Sequence, residues 1–405
     1  MSILEGAFLT LYGLIVISWV VRHVLITKIH RELDVLTMAS PTFSCDGPPL
    51  VTALIPARDE EDALPSCLDS VRAQTYPNLE IIVADDRSAD GTRAVCERAA
   101  ASDPRVRVVA IEDLPPGWTG KSHALHVAAR EARGRWLWFL DADTLHSPES
   151  LSIMMEYARS RGALMASLLP ASRCESFWER VLQPLEGIVL MRSYPLADVN
   201  RDDSKLAFAN GQYILIARNA YEEVGGHEAV RSWFVEDIHL ARRVKAAGHR
   251  IRCAVTTEIS STRMYTSLGQ MVRGWGRILY DALDREPKRI AWKIVEPLIF
   301  SQSGDLALLV AIVLLVAGSS GAFAWGLLVL SLIHQGLKQS VLVRMYAWSA
   351  PAIALYGLLY PLAGWLSVWI SLRAIVHCLT GRVQWRGTDY GQSTATNAPL
   401  KTGAF

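Results

Sequence analysis

The chain has 405 residues, of which 51% are hydrophobic, and a formal net charge of +1. This length allows one large or two ordinary domains. The near-balanced charge argues against a nucleic-acid partner, because a nucleic-acid-binding domain is normally strongly basic. The six cysteines are scattered without a Cys-X-X-Cys pair, which predicts free thiols in a reducing compartment and neither a zinc site nor a disulfide framework.

The N-terminal segment is apolar. Residues 6–21 carry no charge, and Arg22, His23, Lys28 and Arg31 follow them. A signal peptide would place its positive charge before the apolar stretch. We therefore predict a membrane anchor over residues 1–28 whose basic flank holds the next segment on the cytoplasmic side. A buried core helix is the alternative.

Strands and helices are predicted to alternate in the next part of the chain. Apolar runs predict strands at residues 50–55, 79–84 and 106–111 and one that starts at Trp136, and helical spacing predicts helices at residues 65–74, 91–101 and 122–132. This alternation indicates parallel βαβ units, in which polar groups at the carboxyl ends of the strands converge on one crevice. The groups expected there are Arg58, Asp59, Glu60, Asp85, Asp86, Lys121, Asp141 and Asp143.

Two carboxylates follow the apolar run that begins at Trp136. Asp141 and Asp143 are one residue apart, so on a strand both would face the same side. Two carboxylates so placed repel each other unless a cation lies between them, and Mg²⁺ favours one or two carboxylates together with phosphate oxygens. The pair therefore predicts a divalent metal that carries a diphosphate. A strand followed by an Asp-rich turn is the alternative.

Residues 120–122, Gly-Lys-Ser, are also found at the end of a phosphate-binding P-loop. That motif needs a glycine five residues before Gly120, where this chain has Pro115. The spacing therefore argues against a P-loop NTPase. Lys121 can still reach a phosphate as a point charge.

The segments beyond the Asp pair are less regular. Residues 177–189 have an apolar face at helical spacing, which fits either a core-facing helix or a helix against the bilayer. Residues 210–216 predict a strand and residues 238–247 a helix. Glu236 and Asp237 precede that helix, where the helix dipole favours ionised carboxylates. A simple helix cap is the alternative for this pair.

The C-terminal third of the chain combines basic and apolar segments. Residues 267–288 predict either a basic amphipathic helix in the headgroup layer or an ordinary surface helix. Residues 306–337 contain no Asp, Glu, Lys or Arg, which predicts a transmembrane hairpin, and Asp305 beside it needs a partner. Residues 345–372 are also uncharged and long enough to span.

The number of C-terminal crossings decides the side of the tail. Three crossings would place its basic residues outside, against the positive-inside rule. We therefore expect a further split near Pro351 or Pro361, or a re-entrant segment, that returns the tail to the cytoplasm. Residues 393–405 are expected to be disordered.

Five motifs occur in order between about residues 50 and 275. They are Leu54-Ile-Pro-Ala-Arg-Asp-Glu-Glu61, Asp85-Asp-Arg-Ser-Ala-Asp-Gly-Thr92, Asp141-Ala-Asp143, Phe234-Val-Glu-Asp237 and the segment from Gln270 to Trp275. With these motifs the chain resembles membrane-bound family 2 glycosyltransferases of the processive-synthase and ceramide-glucosyltransferase type. Residues 115–121, Pro-Pro-Gly-Trp-Thr-Gly-Lys, are similar to a stretch in bacterial enzymes that glycosylate hopanoid or carotenoid lipids.

The resemblance implies a fold and five regions. The fold class is α/β: a GT-A nucleotide-diphospho-sugar transferase domain plus α-helical transmembrane segments. The regions are an N-terminal anchor (1–28), a cytoplasmic catalytic domain (48–265), an amphipathic interfacial region (266–295), C-terminal transmembrane helices (296–375) and a cytoplasmic tail (376–405). The expected location is the inner (plasma) membrane, with several spans.

The resemblance also implies roles for single residues. The donor would be bound by Pro56, Ala57, Arg58, Glu60, Asp86, Lys121 and Asp141, with Asp86 accepting a hydrogen bond from the base. Asp141 and Asp143 would hold a divalent metal, Mg²⁺ or Mn²⁺. Asp237 would be the general base that deprotonates the acceptor, so that the product has inverted configuration. The acceptor side would include Glu236, Gln270, Arg273 and Trp275.

One departure from the family pattern bears on the acceptor. The family's Gln-X-X-Arg-Trp motif is interrupted here by Gly274, which rotates Trp275 by about 100° on a helix. This favours a single transfer to a membrane lipid over processive synthesis. The predicted reaction is transfer from a UDP-sugar, UDP-glucose or UDP-N-acetylhexosamine, to a hydroxyl or carboxyl of a hopanoid, carotenoid or sphingolipid-like acceptor.

Two other functions remain open at this point besides a processive polysaccharide synthase. A metal-dependent nucleotidyltransferase would share the acidic site, but it would usually have a Gly-rich basic loop where this chain has the acidic residues 57–61. A non-catalytic scaffold would be expected to have lost some acidic positions.

Overall fold

The computed structural model describes residues 1–349, 351–385 and 388–390. They form two compact units. The helical unit comprises Met1–Glu32, Cys174–Leu190 and Tyr265–Thr380, and the α/β unit comprises Leu33–Arg173, Met191–Met264 and the described residues after Thr380.

All the strands of the described chain belong to the α/β unit. They are β1 (Val51–Ala57), β2 (Leu79–Asp86), β3 (Val106–Ile111), β4 (Trp136–Leu140), β5 (Thr144–His146), β6 (Met165–Leu169), β7 (Ala171–Ser172), β8 (Tyr213–Ala217), β9 (Ile251–Val255), β10 (Ser260–Thr262), β11 (Val383–Trp385) and β12 (Thr388–Tyr390).

The helices are α1 (Ile3–Arg31), α2 (Leu64–Arg72), α3 (Thr92–Ser102), α4 (Gly120–Glu131), α5 (Ser150–Ser160), α6 (Phe177–Ser193), α7 (Leu196–Val199), α8 (Arg218–Glu223), α9 (Glu236–Ala246), α10 (Leu268–Ala282), α11 (Pro287–Pro297), α12 (Ser303–Val316), α13 (Ala322–Ser349) and α14 (Tyr360–Thr380). Gly226–Val230 and Pro351–Leu359 are 3₁₀ segments, and Leu298–Gln302 is a π segment.

The centre of the α/β unit is a seven-stranded sheet in the order β3-β2-β1-β4-β8-β6-β9. The first four strands of this order are parallel, as predicted, whereas β8 is antiparallel to both of its neighbours, β4 and β6. The sheet is therefore mixed. The predicted parallel arrangement holds for β1 to β4, and the antiparallel strand lies in the later part of the chain, for which no strand direction was predicted. A second sheet, β5-β10-β7, holds residues next to the site, and β11 and β12 form a hairpin.

Strands β1, β2 and β4 have near-continuous apolar sequences because they lie in the interior of the sheet. In β2 all eight residues are buried. Their side chains form the main core together with α2 and α5, including Ile55, Leu68 and Trp138. This burial explains why apolar runs predicted these strands from the sequence.

Two element ends differ from the prediction in ways that affect the site. Helix α4 begins at Gly120, so Lys121 lies in its first turn. Strand β4 ends at Leu140, and the two aspartates that follow lie in a turn in which Thr144 N–H donates to Asp141 O at 3.3 Å. The interpretation that both aspartates lie on the strand was therefore wrong, and the alternative of a strand followed by an Asp-rich turn matches the structure.

The helical unit contains helices long and apolar enough to cross a membrane. Four stretches in the described residues meet that criterion: Ile3–Lys28, Pro287–Val316, Ala322–Ala347 and Ala352–Thr380. The first coincides with the predicted anchor, and the other three cover the predicted C-terminal spans.

Helix α6 packs inside this unit. Val181 and Leu185 belong to one apolar cluster with Leu342 and Tyr346 of α13 and residues of α14. The Tyr346 hydroxyl also donates to Val181 O at 2.6 Å. Of the two readings of this segment, the core-facing helix therefore matches the structure.

Asp305 has the partner that the sequence required. Lys338 Nζ lies 2.7 Å from Asp305 Oδ1, and Gln335 Nε2 donates to the same oxygen at 2.6 Å. Lys338 is completely buried. A buried ammonium needs such a partner because an uncompensated charge in a low-dielectric interior is strongly destabilising.

The prediction of one helix over residues 267–288 was wrong. Helix α10 ends at Ala282 and α11 starts at Pro287. Between them Asp284 and Arg285 both have φ of 59°, a left-handed conformation that ends a helix and is uncommon for residues other than glycine.

The direction of the C-terminal helices follows from contacts within the helical unit. Helix α13 runs parallel to α1, because Tyr12 bonds to His334 at 3.1 Å and Thr27 bonds to Arg344 at 3.1 Å. The segment Pro351–Leu359 then turns back, because Gly357 lies against the backbone of Leu342.

Helix α14 continues away from the middle of α13. At its start, the Tyr360 ring lies 5.3 Å from Lys338 Nζ. At its end, the rings of His377 and Tyr280 in α10 are 5.9 Å apart, and the Cys378 thiol contacts Arg285 O at 3.5 Å. Residues 351–360 therefore run back along α13 towards its middle, and α14 then returns to α10.

Candidate active site

The carboxyl ends of three neighbouring parallel strands bring together most of the predicted donor-binding residues. Pro56 and Ala57 end β1, Asp86 ends β2, and Asp141 follows β4 directly. Parallel strands place such groups along one edge of the sheet, which is where open α/β folds bind ligands. Arg58 and Glu60 continue from β1, and the Glu60 N–H donates to Thr92 Oγ1 at 2.7 Å.

Asp86 is buried and forms ion pairs with two arginines, Arg87 and Arg58. Arg87 donates from Nε and Nη2 to the two carboxylate oxygens at 2.8 and 3.1 Å, and Arg58 Nη1 lies 3.9 Å away. A Cβ on Gly120 would stand 2.6 Å from Asp86 Oδ2. Glycine is therefore needed where α4 starts, because it lets the helix N-terminus approach this carboxylate.

Lys121 lies at the centre of a cluster of carboxylates. Its Nζ is 2.7 Å from Asp141 Oδ1 and 2.9 Å from Glu236 Oε1. Burial alone would lower the pKa of Lys121, but the charges of Asp141 and Glu236 outweigh burial and raise it. Lys121 is therefore a permanent cation that ties the end of β4 to the start of α9.

Asp237 is fixed by two backbone amides. Gly211 N–H donates to Asp237 Oδ2 at 2.6 Å, and Ile238 N–H donates to Oδ1 at 2.8 Å. Burial and the neighbouring Glu236 charge raise the pKa of Asp237 to about 7, although Lys121 and the amides oppose them. A carboxylate with this pKa can take up a proton near neutral pH, as a general base must.

Glu236 contacts Lys121 rather than a surface open to solvent. Only 4% of its side chain is exposed, and burial raises its pKa while Lys121 offsets part of that rise. In the structure, the residue predicted on the acceptor side thus helps to hold the lysine.

Asp141 and Asp143 offer oxygen ligands suited to a hard divalent cation. The Asp141 side chain remains 26% exposed, and Asp143 Oδ1 lies 3.5 Å from Thr262 Oγ1 of β10. Within the described parts of the chain, no group of three or more His, Cys, Asp or Glu side chains could enclose a metal. The donor set therefore fits a metal such as Mg²⁺ that keeps positions for phosphate oxygens, and not a closed protein cage.

The remaining predicted acceptor-side residues lie in the helical unit. Gln270 is exposed, and its side chain accepts from Thr266 N–H at 3.0 Å, while Arg273 is exposed on α10. Trp275 is 3% exposed and donates from Nε1 to Gln183 Oε1 at 3.0 Å. A Cβ on Gly274 would stand 2.1 Å from the Tyr265 hydroxyl, so this glycine is required for the packing of α10.

Three residues of the site were not found from the sequence. Gly211 donates to Asp237, Tyr390 Oη accepts from Gly120 N–H at 3.2 Å, and Thr388 Oγ1 accepts from Arg58 Nη1 at 3.2 Å. The hairpin β11–β12 thus contacts two segments predicted to bind the donor. Its residues are about 270 and 330 positions from these partners in the chain, a distance at which local sequence patterns give no signal.

Comparison with known proteins finds a family model that matches part of the α/β unit. Residues 52–225 match the family model described as Glycosyl transferase family 2. The chain carries a family 2 glycosyltransferase domain. The match covers the strands that supply Arg58, Asp86, Asp141 and Gly211 and ends before Asp237.

Curated relatives of this domain are glycosyltransferases and polysaccharide-biosynthesis proteins. Succinoglycan biosynthesis protein ExoO of Rhizobium meliloti is 36% identical over 30% of this chain and 33% of its own length. A 4,4'-diaponeurosporenoate glycosyltransferase of Staphylococcus haemolyticus is 27% identical over 56% of this chain and 60% of its own. The chain thus spans between a third and three fifths of these two relatives.

A solved structure supports the fold of the family 2 glycosyltransferase domain. The mannosyltransferase PcManGT from Pyrobaculum calidifontis superimposes with a TM-score of 0.51 at 18% identity, covering 87% of this chain and 99% of that chain. The predicted GT-A fold with added helical segments is confirmed.

Proposed function

We propose that this protein is an inverting glycosyltransferase that moves a sugar from a UDP-sugar to a hydroxyl or carboxyl group of a membrane lipid. The observation that carries the proposal is the geometry around Asp237. Its carboxylate is held by two backbone amides beside Lys121, and burial keeps its pKa near 7. This is the arrangement expected of a base that must be ionised and oriented before the acceptor reacts.

Several residues of the α/β unit would take part in the transfer reaction. Asp237 takes the proton from the acceptor as the acceptor oxygen attacks the anomeric carbon from the side opposite the leaving diphosphate. Lys121 supplies a fixed positive charge near the leaving group, while Asp86 and Arg58 orient the nucleoside. A divalent metal bound through Asp141 and Asp143 would neutralise charge on the diphosphate.

Support for a metal comes from the donor set and from a neighbour. Two partly exposed carboxylates fit a cation that also binds phosphate oxygens. PcManGT was solved in complex with GDP-Man and Mn²⁺. For this protein we propose Mg²⁺ or Mn²⁺ in the same role and a UDP-sugar as donor.

Support for a lipid acceptor comes from two sources. A staphylococcal relative is named as a 4,4'-diaponeurosporenoate glycosyltransferase, so an apolar carboxylate acceptor occurs among related enzymes. Trp275 is buried in the helical unit, and its indole N–H donates to Gln183. Its ring therefore packs inside the unit and is not positioned to cover an acceptor. Both observations favour a single transfer to a lipid over processive synthesis.

We further propose that the protein is a multi-pass protein of the inner membrane with its α/β unit in the cytoplasm. Helix α1 leads into the α/β unit at Leu33, and α13 runs parallel to α1, so both helices end on the cytoplasmic side. Residues 351–380 would then enter and leave on that side, as a re-entrant segment. This arrangement places Gly381 and the hairpin β11–β12 with the α/β unit, to which they belong.

Replacing the proposed base tests the mechanism. Asp237→Asn should lower the rate of lipid glycosylation by about 10²–10⁴, because an amide cannot accept the proton. Binding of UDP should stay nearly unchanged, as measured by calorimetry on the purified protein.

The matched control is Asp203→Asn. Asp203 is 71% exposed and pairs with Arg201, so its loss should leave the rate of transfer as in the native protein. Full activity of Asp237→Asn would show that another group is the base.

A further inference from the structure

The C-terminal end of α1 lines an open basic surface groove, which we call the α1 groove. It has a volume of about 470 Å³ and is lined by His23, Val24, Thr27, Lys28, Arg31 and Glu32. None of these residues belongs to the cluster around Lys121 and Asp237. The groove is therefore separate from the proposed catalytic cluster, and its lining indicates which kind of ligand would fit it.

Arg344 of α13 adds a fixed guanidinium beside the groove. It donates from Nη1 to Thr27 Oγ1 at 3.1 Å, and Nη2 lies 3.3 Å from His23 Nδ1. Its Nε also donates to Ser340 O at 3.1 Å. Because both helices belong to the helical unit, this arginine is held in place before any ligand binds. Fixing a cation in advance reduces the entropy that binding must otherwise overcome.

Positive charges outnumber negative charges around the groove. Lys28, Arg31 and Arg344 are cations, and Glu32, whose carboxylate lies 3.8 Å from Lys28, is the acid among the lining residues. Arg22, one turn earlier, is not part of this balance because Glu296 pairs with it at 2.7 Å. The groove is therefore complementary to an anion.

The apolar surface next to the groove excludes a purely water-soluble anion as the best fit. Val20, Val21, Val24 and Leu25 are between 47% and 62% exposed on the preceding turns of α1, and Val24 itself lines the groove. On α1 an apolar surface is followed by basic residues. This order matches a lipid whose acyl chains contact the apolar surface and whose charged headgroup contacts the basic residues. The lining also contains no Phe, Tyr or Trp on which a nucleotide base could stack.

We propose that the α1 groove binds the phosphate headgroup of an anionic membrane lipid. Arg344, Arg31 and Lys28 would contact the phosphate oxygens, and the acyl chains would lie along Val24 and Leu25. The inference rests on the proposed membrane insertion of α1 but not on the transferase reaction.

Native mass spectrometry of the full chain in detergent tests this inference. The probes are phosphatidylglycerol and phosphatidylcholine with the same acyl chains. Phosphatidylglycerol should be retained in preference, and Arg31→Gln/Arg344→Gln should weaken its binding roughly thirtyfold, at about one charge's contribution for each arginine.

A matched control separates a local site from a general charge effect. Arg159→Gln/Arg201→Gln removes two exposed arginines of the α/β unit and should leave lipid binding unchanged, with thermal unfolding measured for both variants. The proposal would be overturned if the two lipids were retained equally or if both double variants lost the same amount of lipid binding. It would also be overturned if inorganic phosphate displaced the lipid completely. Any of these results would leave the transferase proposal standing, because that proposal is tested by sugar transfer.

Discussion

At the scale of single residues, Lys121 connects the parts of the proposed site. Its ammonium contacts Asp141 after β4 and Glu236 at the start of α9. The sequence indicated Lys121, Asp141 and Asp237 separately, because each follows a strand or opens a helix. It could not indicate that Glu236 faces the lysine, since that contact depends on how α4 and α9 meet in three dimensions.

The pH dependence of transfer follows from Asp237. Burial, followed by the charge of Glu236, raises the pKa of this carboxyl to about 7. A raised pKa means that the acid form persists to higher pH, so the base is lost as pH falls below about 7. We predict that kcat is constant above that pH and decreases about tenfold for each pH unit below it.

Initial rates at saturating donor, measured across this range on the purified protein, check the prediction. Glu236→Gln should move the midpoint to lower pH, because the neighbouring negative charge is removed. A profile that is flat through neutral pH would contradict the role of Asp237.

Gly211 offers a second prediction at this scale. A Cβ there would stand 2.9 Å from Lys121 Nζ and 3.1 Å from Asp237 Oδ2. Gly211→Ala should therefore displace the base and lower kcat by at least about tenfold, since a misplacement of about 1 Å can reduce rates a hundredfold. Gly187→Ala is the control, because a Cβ at Gly187 meets nothing within 4 Å. Equal rates for both variants would show that Gly211 does not position Asp237.

At the scale of elements, the sequence predicted what depends on local patterns. The strands β1 to β3 and the helices α2 to α4 were placed within two residues of their ends, because buried strands are apolar and helices alternate with them. The break between α10 and α11 was missed, since it depends on positive φ at Asp284 and Arg285, which the apolar spacing of residues 267–288 does not show. The hairpin β11–β12 was missed because its partners are far away in the chain.

The segment from Pro351 to Thr380 gives the prediction at this scale. Its residues from Ala352 to Thr380 are long and apolar enough to cross a membrane. It begins after the C-terminal end of α13 and ends beside α10, so the proposed topology places both of its ends in the cytoplasm. A cysteine at Ser320, between α12 and α13, should react with a membrane-impermeant maleimide in intact cells. A cysteine at Thr380, the end of α14, should react only after the cells are opened.

The background for this experiment is a chain in which the exposed Cys45 is replaced. A cysteine at Ser102, at the end of α3 in the α/β unit, is the reference for the cytoplasmic side. Labelling of Thr380→Cys together with Ser320→Cys would mean that residues 351–380 form a full crossing.

At the scale of the whole molecule, the proposed catalytic residues and the apolar helices belong to different units. The α/β unit carries the family 2 domain and every residue of the proposed catalytic cluster. The helical unit carries the apolar helices, the buried Asp305–Lys338 pair and the α1 groove. An α/β unit joined to a unit with helices apolar enough to cross a membrane fits the proposed enzyme, whose donor would be dissolved in water and whose acceptor would be dissolved in lipid.

The most direct test of this account is lipid glycosylation by membranes that contain the protein. The membranes would be incubated with a panel of UDP-sugars, with and without EDTA, and the extracted lipids analysed by mass spectrometry. We predict a new hexosyl or N-acetylhexosaminyl lipid that depends on one UDP-sugar, disappears with EDTA and is absent from membranes containing Asp237→Asn. If the UDP-sugars are not consumed and no lipid gains a sugar, the proposed function is contradicted.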